Sequence, residues 1–299
     1  MASISSNPIN MAKTLVYGVK HFVEKRKQES LIRGFDTRTP YQCVSPLESL
    51  GRCGWAQTDS DTVFGQSVAR LVMANEMQWL PELDIMGNAL TRRISEETLR
   101  VLLQSQVLIE VVRGYLGDGA RLDDLYLWKK DYGVQKRFDI SEGWHTDNVG
   151  NRLKMFVGVQ ASDEAPRTLL IQGGHKTPYR VSMSELFRFF GHTDLPKGEV
   201  VEISYQPDTV ALFDTNTLHR GQYRATQASR TCLVLEFIDR RKGNLLSGVC
   251  PCGPGQSPQG CLKLPLVLSR MLAQHPLIDQ ALMRDEADHV SYSISNMHN

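Results

Sequence analysis

Residues 209–238 read TVALFDTNTLHRGQYRATQASRTCLVLEFI. Two apolar runs, 209–213 (TVALF) and 231–238 (TCLVLEFI), flank a polar middle. Both are short, rich in β-branched and aromatic residues, and bounded by Asp, Asn, Gly and Ser, which is the pattern of buried strands. Moving toward the N-terminus the pattern recurs at 199–205, at 168–172 (TLLIQ), at 153–160 (LKMFVGVQ) and at 122–128. Many short strands at close spacing predict a mainly β fold, a sandwich or jelly roll.

The flanks read differently. Residues 63–80 place apolar side chains near helical spacing, with Asp61 as a candidate cap. Residues 95–116 predict a stronger helix. Ser95 caps it, Glu96 and Glu97 sit in the positive first turn, and Gly117, Asp118 and Gly119 end it. A short inserted helix is expected at 183–190, and a helical tail at 264–283 with a break near Pro276. The simplest organisation is one catalytic domain over 1–299: a helical flank to about 120, a jelly-roll core over about 121–240, and a C-terminal loop and helices over about 241–299.

Composition narrows the partners. Lys plus Arg is 34 against 33 for Asp plus Glu, so charge gives no case for nucleic acid or an anionic membrane. Apolar residues are 41% and charged residues 22%, as in ordinary globular chains. No apolar run approaches the roughly 18–20 residues of a membrane span. The first residues lack the apolar stretch of a secretory signal, and the chain ends without an organelle address. A cytoplasmic enzyme of small molecules is the expectation. Of six cysteines, Cys250, Cys252 and Cys261 lie in VCPCGPGQSPQGC. C-x-C is not the C-x-x-C of a zinc site, so reduced thiols in a loop are expected there, with a disulfide or a regulatory metal as the alternative.

The chemistry centres on Trp144, His145, Thr146 and Asp147. Residues two apart on a strand point to one face, so His145 and Asp147 can aim a nitrogen and a carboxylate at one point. His219, just after the strand at 209–213, supplies a third ligand. Two histidines and one carboxylate leave three positions of an octahedral metal open, which favours Fe(II) and oxygen chemistry. The C1 carboxylate and C2 keto oxygen of 2-oxoglutarate would fill two of these and O2 the third. The far carboxylate of that co-substrate then needs a planar cation. Arg230 lies eleven residues after His219 and opens the strand at 231–238. A strand returning beside that of His219 would bring Arg230 to the far end of the co-substrate.

These motifs resemble the phytanoyl-CoA dioxygenase family of iron(II)/2-oxoglutarate oxygenases. GWHTDN, the strand LKMFVGVQ and the turn LLIQGGHKTPY are similar to that family's H-x-D motif, following strand and P-G-S-H-K turn. DTVALFDTNTLHRGQYRATQASRTCLVLEF is similar to its second histidine and distal arginine, including their spacing. LGRCGWAQTDSD and LYLWKKDYG resemble an N-terminal strand and the strand before the metal motif. The resemblance implies a cupin-like double-stranded β-helix with flanking N-terminal and C-terminal helices. It also implies hydroxylation of a C–H bond, with release of succinate and CO2, with desaturation, ring formation or oxidative cleavage as the alternatives on the same scaffold. A family lysine or other polar residue before the H-x-D strand touches the co-substrate; Lys129 is the candidate and Lys130 the alternative register, with a surface lysine as the competing reading for either. Asn148 is a candidate contact to co-substrate or substrate, with a turn-forming role as the alternative.

This chain departs from the family at Gln172 to Lys176, which read QGGHK, and at Gly221, where the family often has serine. His175 is read as part of the turn, bonding to backbone, and Trp144 as packing at the pocket mouth. Three other readings compete. A halogenase would lack the carboxylate that Asp147 supplies. A silent binding protein of this fold would have lost ligands. A zinc hydrolase would leave Arg230 without a role.

Overall fold

Alternation along the strands decides how the layers form. The computed structural model describes residues 45–133, 144, 152–176, 198–222, 227–239 and 275–278. Its strands are β1 (Trp55–Asp59), β2 (Asn88–Thr91), β3 (Ala120–Asp131), β4 (Arg152–Ala161), β5 (Thr168–Ile171), β6 (Val200–Ile203), β7 (Thr209–Asp214), β8 (His219–Gly221) and β9 (Ser229–Asp239). A six-stranded sheet runs in the order β1-β7-β4-β9-β3-β2, and a three-stranded sheet in the order β6-β5-β8. Every pairing is antiparallel. This is a jelly roll, as the strand pattern predicts.

The helices are α1 (Pro46–Cys53), α2 (Ser60–Phe64), α3 (Val68–Asn75), α4 (Glu96–Gln104) and α5 (Gln106–Leu116). Leu99, Leu102 and Leu103 of α4 and Leu108, Val112 and Leu116 of α5 form one core with Leu125, Leu127, Leu153, Met155, Val157, Leu233, Leu235 and Phe237 of the large sheet. Residues of opposite parity on the same strands, Phe156, Phe213, Cys232 and Val234, face inward. There they meet Leu170 and Ile203 of the small sheet. Strands β3, β4, β7 and β9 of the large sheet thus divide their side chains between a helix-covered outer face and the barrel interior.

Local chemistry overrules periodicity in the flank. The helix expected over 63–80 is three pieces. Gly65 adopts φ 73 and ends α2, and Ser67 then caps α3 by accepting from Arg70 N. The cap of α2 is Asp59, not Asp61, with its carboxylate accepting from Thr62 N at 2.8 Å. The helix expected over 95–116 starts at the Ser95 cap and ends at Gly117, as read, but it breaks at Ser105. Ser105 leaves helical backbone at ψ 110, caps α5 through Leu108 N and donates to Val63 O. The first 120 residues are also not purely helical, because β1 and β2 join the large sheet. Among the described residues no helix is long and apolar enough to cross a membrane. Residues 183–190, Cys250, Cys252, Cys261 and most of 264–283 lie outside the described residues.

Candidate metal and co-substrate site

His219 opens β8, paired with Leu170 of β5, and its side chain is 6% exposed. Its ring meets Phe213 edge-on at 5.0 Å. Nδ1 lies 2.8 Å from the Thr217 carbonyl. A carbonyl can only accept, so Nδ1 carries the hydrogen and Nε2 carries the lone pair that a metal needs. This is the arrangement that backs a metal-binding imidazole.

The turn before His219 is tightly bonded. Asp214 Oδ1 accepts from Asn216 N at 2.8 Å and from Asn216 Nδ2 at 2.6 Å. Asp214 N and Thr217 Oγ1 both donate to the Gly54 carbonyl. Gly54 has φ 80, and a Cβ there would collide with the His175 ring. His175 is within hydrogen-bonding distance of the Gly51 carbonyl at 3.2 Å. It therefore bonds to backbone, as read from the sequence, with its partner in α1.

Arg230 lies across the interior from this turn. The strand that carries it does not return beside β8: it runs between β4 and β3 in the large sheet, while His219 belongs to the small one. The expected adjacency is therefore replaced by opposition across the barrel. Arg230 is 4% exposed, and its Nη1 donates to the Pro166 carbonyl at 2.7 Å. Its guanidinium carbon lies 4.0 Å from the centre of the Tyr205 ring, 5.2 Å from Trp128 and 5.8 Å from Tyr132. Tyr205 Oη and Thr168 Oγ1 are 2.5 Å apart. Burial, opposed by Arg230, raises the Tyr205 phenol, so it stays neutral. A line of rings connects the two halves of the site. Tyr205 meets Phe156 at 5.3 Å, Phe156 stacks on Phe213 at 5.7 Å, and Phe213 touches His219.

Register separates the two candidate lysines. Lys130 is the partner of Arg230 across β3 and β9, so the two share a face. Lys130 is 2% exposed, with Nζ 5.2 Å from the centre of the Tyr132 ring. Lys129 is paired with Thr231 and Ala89, which turns it to the opposite face. Cys232 follows Arg230 on the inner face. Burial pushes its thiol up to about 12, so it is an inert wall residue.

Farther along the inner face, β3, β4 and β9 carry a charged cluster. Arg152 bridges Asp123 at 2.8 Å and Glu236 at 3.0 Å, Lys154 lies 3.2 Å from Glu236, and Tyr126 Oη donates to Glu236 at 3.1 Å. Arg92 grips Asp124 through two hydrogen bonds. A register shift between Leu122 and Asp124 brings the neighbouring Asp123 and Asp124 into this cluster together. Nothing in the sequence alone marks that shift. Outside the barrel, Arg220 stacks on Trp144 with 5.0 Å from guanidinium carbon to ring centre.

Among the described residues no three His, Cys, Asp or Glu side chains converge on one point. The other two predicted ligands, His145 and Asp147, lie outside the described residues, as does Asn148.

No protein-family model matches the chain. No curated protein matches it either. Solved structures are similar to it at low identity. EvdMO1 shares 14% identity over 64% of this chain and 49% of that one, with a TM-score of 0.46, so the match spans about half the length of EvdMO1. HygX from Streptomyces hygroscopicus, solved with nickel, 2-oxoglutarate and hygromycin B bound, shares 15% identity over 64% of this chain and 85% of that one, TM-score 0.45. EctD from S. alaskensis, solved with bound Fe, shares 19% identity over 67% of this chain and 80% of that one, TM-score 0.45.

Proposed function

We propose that this chain is a non-haem iron(II) oxygenase that uses 2-oxoglutarate and hydroxylates a C–H bond of a small molecule. The observation that carries the reading is the opposition of His219 and Arg230. An imidazole with its Nδ1 hydrogen fixed sits on one sheet, and a buried guanidinium sits on the other, with aromatic rings between them. His145 and Asp147 would complete the metal set with His219. The motif run from Trp144 to Phe237, which resembles the phytanoyl-CoA dioxygenase family, supports the same class. When bound, iron with 2-oxoglutarate and O2 supplies the oxidation: one oxygen atom enters the substrate and the other enters succinate, with loss of CO2.

The chain's own residues do the positioning. His219 presents Nε2 to the metal because Thr217 holds Nδ1. Arg230 offers a planar fork to the far carboxylate of the co-substrate. Lys130 adds a second positive charge on the same face, and it takes the co-substrate role in place of Lys129, the lysine expected from the sequence. Tyr205, Trp128 and Tyr132 wall this end against water, which strengthens each charged contact there.

The test is an anaerobic titration of Fe(II) and 2-oxoglutarate, followed by metal-to-co-substrate charge-transfer absorption. Removing one side of a partly desolvated charge pair costs on the order of 2–5 kcal/mol. Arg230→Ala should therefore weaken 2-oxoglutarate roughly thirtyfold or more, with Fe(II) affinity nearly unchanged. Arg230→Lys should recover only part, because a point charge cannot reproduce the fork. An unchanged half-saturation in Arg230→Ala would remove Arg230 from the site. No absorption in the wild-type protein would overturn the class.

A further inference from the structure

The turn that delivers His219 is held from outside the barrel by a helix. Asp214 ends β7, His219 begins β8, and the residues between them cross from the large sheet to the small one. Their conformation decides where the imidazole sits. Asp214 sets that conformation twice, through its side chain to Asn216 N and through its carbonyl, which accepts from Thr217 N at 2.8 Å. The carbonyl of that same Thr217 then accepts from His219 Nδ1.

Asp214 is 0% exposed. Asx turns of this kind usually sit at the surface, where water satisfies the second carboxylate oxygen. A buried carboxylate needs protein donors on both oxygens. The second donor here is Tyr115 of α5, whose hydroxyl reaches Asp214 Oδ2 at 2.7 Å. Burial first, and then the Asp214 charge, raise the Tyr115 phenol well above its ordinary range, so it remains a donor.

We propose that Tyr115 and Asp214 are positioning residues for the metal centre: through the turn and the Thr217 carbonyl they fix the tautomer and direction of the His219 imidazole. The inference rests on His219 being a metal ligand, as proposed above. Losing such outer support typically weakens metal binding by roughly 10–100-fold.

The experiment uses the full chain loaded with Co(II), read by its d–d absorption and by cobalt affinity. Tyr115→Phe removes only the hydroxyl, and Asp214→Asn keeps an acceptor for Asn216 N. Both variants are expected to shift the d–d band and to weaken cobalt by about tenfold. Leu102→Ala is the control. Leu102 is buried in the helical core of α4, so its variant should lose stability and keep the wild-type band and affinity. If Asp214→Asn does not fold, Tyr115→Phe decides alone. A wild-type band and affinity in folded Tyr115→Phe overturn the relay. The proposed function then stands as long as the wild-type protein shows the iron and 2-oxoglutarate absorption. A wild-type chain that binds no cobalt and no iron overturns both.

Discussion

The two faces of the six-stranded sheet are made by the same strands from opposite material. On β9, Leu233, Leu235 and Phe237 point to the helices and join an apolar core. Arg230, Cys232, Val234 and Glu236 alternate with them and point inward, toward rings and charges. On β4, Leu153, Met155 and Val157 face out, while Lys154 and Phe156 face in. Apolar burial on the outer face is unconditional and stabilises the fold. On the inner face each buried charge must be matched, so stability is given up there to keep chemical groups in place. Stability set by the outer face and binding set by the inner face are therefore separable by mutation.

The largest expected effect is on the outer face. Leu235 is fully buried and opposite both Met155 and Leu125. Leu235→Ala removes apolar contacts and leaves a cavity, which costs on the order of 2–5 kcal/mol. Urea unfolding should show that loss, while 2-oxoglutarate affinity per folded molecule stays at the wild-type value. A large drop in affinity in the folded variant would mean that the two faces are not independent.

The inner face should show the reverse, a charged residue whose removal stabilises. Burial pushes the Asp123 carboxyl from 3.8 up to about 6, against the opposing pull of Arg152, and Oδ1 has no hydrogen-bond partner among the described residues. A group whose pKa is raised on folding favours the folded state fully below its unfolded pKa, and that advantage is lost as pH rises through the folded value. For Asp123 the window runs from about 4 to about 6, and the shift amounts to about 2–3 kcal/mol. Asp123→Asn does not titrate. The wild-type protein should therefore match the variant near pH 4 and fall below it by about that amount at pH 7.5, measured by denaturant unfolding at both values. Parallel stability at the two pH values would show that Asp123 is no burden on the fold.

The outer face was the legible part of the sequence. Its alternation gives the strands at 153–160, 209–213 and 231–238, which appear as β4, β7 and β9 with ends moved by a few residues. The strands expected at 168–172 and 199–205 appear as the four-residue β5 and β6, but two other short elements were not legible. NALT at Asn88–Thr91 and HRG at His219–Gly221 are too brief to show a period. The broken helices turn on Gly65 and Ser105, where one residue's backbone outweighs the apolar spacing around it. Of the proposed site residues, Arg230 was named from its spacing after His219. Which of Lys129 and Lys130 shares a face with Arg230 was not legible, because that depends on register set by strand pairing. Tyr115 was out of reach altogether, since it meets Asp214 from 99 residues away and a helix core residue carries no mark of such a role.

The smallest expected effect tests whether the comparison extends to the small sheet. There His219 faces in, and Arg220, its neighbour on β8 and the partner of Leu169, faces out. That face mixes the buried apolar Leu169 and Ile171 with the charged Glu202 and Arg220. Arg220 stacks on Trp144. Trp144 immediately precedes His145, and Arg220 immediately follows His219. The stack therefore joins the residue before one proposed ligand to the residue after another. A cation over an indole is worth about 0.5–1 kcal/mol where water reaches it. If the stack holds the segments at their ligand spacing, its loss should appear in metal affinity as roughly a two- to fivefold weakening. Arg220→Ala, Trp144→Ala and the double variant form a cycle that isolates the pair from other effects of each truncation. The expected coupling in cobalt affinity is about 0.5–1 kcal/mol, with the double variant no weaker than the worse single one by more than a small factor. Arg220→Lys should keep part of the coupling, because the ammonium still faces the ring but loses the planar stacking of the guanidinium. Additive single effects in cobalt affinity, with a coupling of zero, would show that the stack is a surface contact and that only the inner face serves the site.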